Sequence, residues 1–136
     1  MEVYKGEEKR KSPRLAASLR SEVTLFDSTN WQTLERPCQT LTRNVSAGGL
    51  ALTLDSLPEN IVAGLRSGAV KMYVDINFPV MSDPIRVQAQ AAWIKEKDES
   101  GYASPGIVLG LSFIDIPEWG RSKIDRYVNN ALAREQ

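Results

Sequence analysis

Two short polar stretches carry the side chains best suited to chemistry. Lys9 to Arg14 reads KRKSPR, and Thr42 to Leu52 reads TRNVSAGGLAL. In the first, Arg10 and Arg14 stand at most roughly 13–14 Å apart along an extended chain. Pro13 pushes Ser12 out of the α region, so the strip bends instead of continuing as helix. A guanidinium offers a planar fork that grips phosphate oxygens, or the O6 and N7 edge of guanine, through paired hydrogen bonds. The same composition also suits a solvated terminus. In the second stretch, Asn44 and Ser46 point the same way if the segment is extended. Gly48 and Gly49 permit a tight turn or bulge, including φ > 0. Two short hydrogen-bonding side chains would then stand beside an open backbone. The plainer alternative is a turn between strands that Asn or Ser stabilises.

The rest of the chain must position these groups. Its 136 residues suit one domain, able to hide roughly two thirds of its unfolded surface. Leu19, Val23 and Leu25 share one parity, with Ser21 between them. Leu50, Leu52 and Leu54 alternate with Ala51 and Thr53; Val70 to Phe78, Ile85 to Trp93 and Ile107 to Phe113 alternate in the same way. Period-two patterning predicts half-buried strands with one face on a core. Turn chemistry separates them at Asp27–Asn30, Ala47–Gly49, Ser82–Pro84 and Lys97–Gly106. SLPENIVAGLRSG, 56–68, reads as one helical turn from after Pro58 to near Gly64. Ile124, Tyr127, Val128, Ala131 and Leu132 then recur at helical spacing, behind Pro117 and Glu118, and predict a closing amphipathic helix. Several short antiparallel strands followed by one helix suggest a small β-barrel, mostly β, with the helix covering part of it.

Composition narrows the chemistry. The chain has no histidine, which removes the Ser-His-Asp and Cys-His arrangements and the common zinc sites. Cys38 is the single cysteine, so no internal disulfide forms, and it reads as a small packed residue. Seventeen Lys and Arg balance seventeen Asp and Glu, where a general nucleic-acid binder is usually basic. The first residues hold no apolar signal segment, and no apolar run approaches the roughly 18 residues that cross a bilayer. The expectation is a cytoplasmic protein with no membrane insertion. Asp75 lies on the polar side of a strand and Asp98-Glu99 in a loop, which favours solvated surface over catalytic carboxylates. No enzyme is expected. An OB-like barrel for single-stranded nucleic acid wants aromatic platforms along a basic groove. Trp31, Trp93 and Trp119 are scattered, and the parity of Trp93 assigns it to the core.

Taken together, Arg10-x-x-x-Arg14 and Asn44-x-Ser46-x-x-Gly49 resemble the signature of the PilZ domain family. The strands VKMYVDINF, IRVQAQAAWI and GIVLGLSFIDI and the closing helix fall where that family has them, so the resemblance covers roughly residues 9–133. It implies a six-stranded antiparallel barrel with a C-terminal helix. It implies residues 1–14 as a flexible arm carrying the RxxxR motif, and 15–136 as a single barrel domain. It also implies a bacterial receptor for cyclic di-GMP, with no cofactor, acting on an unidentified downstream protein in motility, biofilm or exopolysaccharide control. By analogy Arg10 and Arg14 would clasp phosphates and guanine edges. Asn44 and Ser46 would hydrogen-bond a guanine, Gly49 would keep the backbone low, and Lys9 and Gly48 are further candidates. Asn44 stands where Asp is also frequent; Asn both donates and accepts, so the guanine contact differs in detail. The rival within the family is a protein–protein adaptor that binds no nucleotide.

Overall fold

The computed structural model describes residues 13–79, 81–96 and 106–134. Lys9, Arg10 and most of the 97–106 loop lie outside the described residues. The strands are β1 (Leu15–Ala16), β2 (Arg20–Asp27), β3 (Cys38–Val45), β4 (Gly49–Asp55), β5 (Val70–Ile76), β6 (Ile85–Glu96) and β7 (Gly106–Asp115). The helices are α1 (Glu59–Ser67) and α2 (Glu118–Arg134). Six strands run in the order β3-β2-β5-β6-β7-β4, and β4 returns to β3, so the antiparallel sheet closes into a barrel. β1 is an extra strand on the rim end of β3.

The inward residues are those that the alternation marks: Val23 and Leu25, Leu50, Leu52 and Leu54, Met72, Val74 and Ile76, Ile85, Val87 and Ala89, Ile107, Leu109 and Leu111. The two helices seal the barrel. Ile61 and Leu65 of α1 enter the core from one mouth, and Ile124 and Val128 of α2 from the other. α2 begins where predicted, with the Pro117 carbonyl accepting from Gly120 and Arg121 N–H.

Two expectations are corrected, and one strand without a sequence signal is added. The 56–68 segment is a nine-residue helix, ended by Gly68 at φ 88°, a left-handed cap that glycine alone takes at little cost. β3 shows no apolar alternation, since Leu41 is exposed while polar Thr42 is buried. Trp93 is outside the core, 45% exposed. Ala91 pairs with Leu111 but Trp93 with Gly110, so Ala92 is an extra residue that flips the parity. Ile94, not Trp93, then packs against the core.

Two side features account for residues that sequence left open. Asp75 is held in a fork by exposed Arg86, Nε to Oδ1 at 2.9 Å and Nη2 to Oδ2 at 3.0 Å. That hydrogen bond leads the causes holding the Arg86 pKa above its ordinary value. Trp31 takes φ 64° and stacks on Phe26 at 5.1 Å, its N–H donating to the Asp27 carbonyl.

The break between β1 and β2 is closed by backbone bonds from Ala17 N–H to the Arg43 carbonyl and from Thr42 N–H to the Leu19 carbonyl, and by one hydroxyl. Thr42 Oγ1 accepts from Leu19 N–H at 2.9 Å and donates to the Ala17 carbonyl at 2.6 Å. The Thr42 side chain is 2% exposed, so no water can replace it cheaply. Thr42→Val should therefore cost about 2 kcal/mol in urea unfolding, through two buried backbone groups left unpaired. Thr42→Ser, which keeps the hydroxyl, should stay within about 1 kcal/mol of the parent.

Candidate ligand-binding site

The barrel lip where β3 turns into β4 is shaped by one irregularity. Thr42 pairs with Leu52, but Asn44 pairs with Ala51, so Arg43 is an extra residue in β3. Thr42 and Val45 thus both face inward, and Asn44 faces out with Ala51. Without the bulge, period two would have turned Asn44 into the core.

Register then lays out a row on the outer wall. Ala16 stands opposite Asn44, Asn44 opposite Ala51, Ala51 opposite Gly110 and Gly110 opposite Trp93. The floor between Asn44 and Trp93 is made of the two smallest residues. The Trp93 indole lies against Gly110 so closely that a Cβ there would collide with the ring. The row thus has an amide at one end and a half-exposed aromatic ring at the other, with Ala51 and Gly110 buried between them. Asn44 Oδ1 is buried and makes no hydrogen bond, the only such side-chain atom among the described residues. A buried acceptor left unpaired costs about 1–3 kcal/mol, and such a group in a native fold calls for a partner.

Arg14 reaches this place through backbone pairing. β1 pairs Leu15 with Val45, so Arg14, one residue upstream, comes beside Ser46 and is exposed. Arg14 and Asn44, thirty residues apart in sequence, therefore meet at one lip. Lys9 and Arg10 lie outside the described residues.

Ser46 and the glycines serve the turn. Ser46 is 5% exposed; its N–H donates to the Gly49 carbonyl at 2.8 Å, and its Oγ accepts from Gly48 N–H at 3.2 Å. The Ser46 hydroxyl also donates to the Gly49 carbonyl at 3.3 Å. Its hydrogen bonds are thus spent inside the loop, the plainer of the two readings. Neither Gly48 nor Gly49 takes positive φ. A Cβ at Gly49 would strike the Leu111 carbonyl oxygen of β7, whereas Gly48 faces open space. From α2, Arg121 Nη1 donates to the Ala47 carbonyl at 3.3 Å and ties the turn to the helix.

Sequence reading missed Ala51, Gly110, Trp93 and Arg121. The signal for the first three is the strand register, which two bulges hide. Cys38 lies half-buried on β3 away from this row. Burial first, then Asp55 and Glu35, push its thiol pKa up, so it stays protonated and unreactive at neutral pH. Among the described residues no cluster of three metal-ligating side chains forms, and no helix is long and apolar enough to cross a membrane.

The PilZ domain family model matches residues 8–130. No curated protein matches. The fold is similar to the Bacillus subtilis inhibitor of motility MotI/DgrA, with TM-score 0.67, 18% identity, 94% of this chain and 53% of that one covered. It is similar to the PilZ domain of Escherichia coli YcgR with c-di-GMP, with TM-score 0.57, 16% identity and 93% of both chains covered. It is also similar to Borreliella burgdorferi PlzA in complex with c-di-GMP, with TM-score 0.60, 13% identity, 96% of this chain and 55% of that one covered. The chain spans about half the length of MotI/DgrA and PlzA.

The two adjacent glycines should separate cleanly in stability. Gly49→Ala should lose about 1–3 kcal/mol, since the methyl meets backbone that cannot yield. Gly48→Ala should change stability by less than about 0.5 kcal/mol. Chemical denaturation of both variants measures the difference.

Proposed function

The chain belongs to the PilZ domain family, and from that premise we propose that it is a cyclic di-GMP receptor. The observation that carries this reading is the orphaned acceptor of Asn44, buried on an outer-wall strip and flanked by the strand that delivers Arg14. A guanine edge presents N–H donors that this oxygen lacks. Trp93, 45% exposed and two register steps from Ala51, supplies a stacking face. Stacking of a base on an aromatic ring contributes about 1–3 kcal/mol. The two phosphates call for cations, which Arg14 and, in this proposal, Arg10 supply as bidentate forks.

The receptor works by ordering a segment. In this proposal the arm of residues 1–14 closes over the row when ligand is bound. β1 pairs with β3 directly after Arg14, which fixes where the arm joins the barrel. The Arg121 contact to Ala47 gives the lip a direct link to α2. The filled lip then presents a new charged surface to a downstream partner, in motility, biofilm or exopolysaccharide control, inside the cytoplasm. No chemistry on the ligand is required of it.

Isothermal titration calorimetry with cyclic di-GMP tests the proposal, with GTP and cyclic GMP as controls. The parent chain should bind at micromolar levels or tighter. Arg10→Ala, Arg14→Ala and Asn44→Ala should each weaken binding about 30-fold, the equivalent of ~2 kcal/mol. Trp93→Ala should weaken it about tenfold. A parent chain that ignores the dinucleotide would assign the protein to the family's adaptors instead.

A further inference from the structure

A second concave feature lies on different elements. Between the β5–β6 connection and α2 runs a groove of about 250 Å³. Its floor is apolar. Phe78, 3% exposed, meets Tyr127 edge-on at 5.1 Å between ring centroids, with half-buried Met81 beside them. Its rim is cationic: Lys123, Arg126 and Arg134 line it and are exposed. No carboxylate lines the groove among the described residues. In a chain with equal numbers of acidic and basic residues, this is a concentrated positive site around a hydrophobic slot.

We propose that this groove docks an acidic segment of a partner protein through one apolar anchor side chain. The anchor sits on Phe78 and Tyr127, and flanking carboxylates meet Lys123, Arg126 and Arg134. The inference goes beyond the nucleotide reading and does not depend on it. Three features choose this occupant. The cations span twelve residues of helix, about 16 Å from first to last, which matches roughly five residues of extended chain. The apolar atoms are recessed, so a protruding side chain reaches them and a flat bilayer surface does not. The volume lies below the roughly 300–1,000 Å³ of sites that enclose a small molecule, yet suits one anchor residue. Successive helix positions turn by about 100°, so Arg121, bonded to the lip, lies on the opposite side of α2 from these cations. Each side of the helix thus has a separate use.

Fluorescence anisotropy on the full chain tests this with a fluorescein-labelled hexapeptide of five glutamates around one phenylalanine. Binding in the tens of micromolar at low salt is expected, and it should weaken as salt rises. Arg126→Glu and Lys123→Glu, both at exposed positions, should each weaken it about tenfold. Replacing the peptide's phenylalanine by alanine should do the same, and a lysine-for-glutamate peptide should not bind. The proposal is overturned if the acidic peptide fails to bind, if the alanine peptide binds equally well, or if both charge reversals leave affinity unchanged. It is also overturned if vesicles of phosphatidylglycerol and phosphatidylcholine sediment the chain in a manner that both reversals abolish.

Discussion

One additional residue in β3 determines what the lip can do. A strand that closes a barrel must alternate, and alternation from buried Thr42 would have hidden Asn44 among the leucines of the core. The bulge at Arg43 breaks the alternation just before the turn. It keeps Thr42 and Val45 inside, where one is a peg and the other is packing, and turns a single amide onto the outer wall. A second bulge, at Ala92, does the same for Trp93 on the far side of the strip. These two bulges serve the same face of the barrel, a third lies between the Gln88 and Ala89 pairings, and the inward alternation of the other strands supplies the core.

The second constraint is the glycine and alanine between these two residues. Gly110 lets the indole lie flat on the backbone, and Gly49 lets β4 approach the Leu111 carbonyl of β7. Neither needs a left-handed backbone; each is required for closeness. Gly68, at the end of α1, is the described glycine whose conformation itself demands the residue.

Much of this was legible in the sequence, and the gaps have identifiable causes. The inward sets Leu50-Leu52-Leu54 and Met72-Val74-Ile76 follow from parity alone, and α2 from the spacing of Ile124 and Val128. Arg14 of the first polar motif and Asn44 of the second stand at the lip. Parity fails wherever a bulge intervenes, which is why Trp93 was assigned to the core. β3 escaped notice because its exposed Leu41 and buried Thr42 reverse the usual pattern, and a buried hydroxyl with two backbone partners leaves no trace in composition. Asn44 and Ser46 look equivalent in a one-dimensional motif. In three dimensions the serine's bonds close a loop and the asparagine's oxygen is buried without a hydrogen bond.

The Thr42 hydroxyl also works as a length gauge. It is stitched to Ala17 on one side and Leu19 on the other, so the connection from Arg14 to Arg20 has a fixed count of residues. Lengthening it by one would carry Arg14 a step along β3 and turn it to the other side of the strand. Drift in chain length is therefore forbidden in this short connector, whose Leu15 and Leu19 are also anchored in the core.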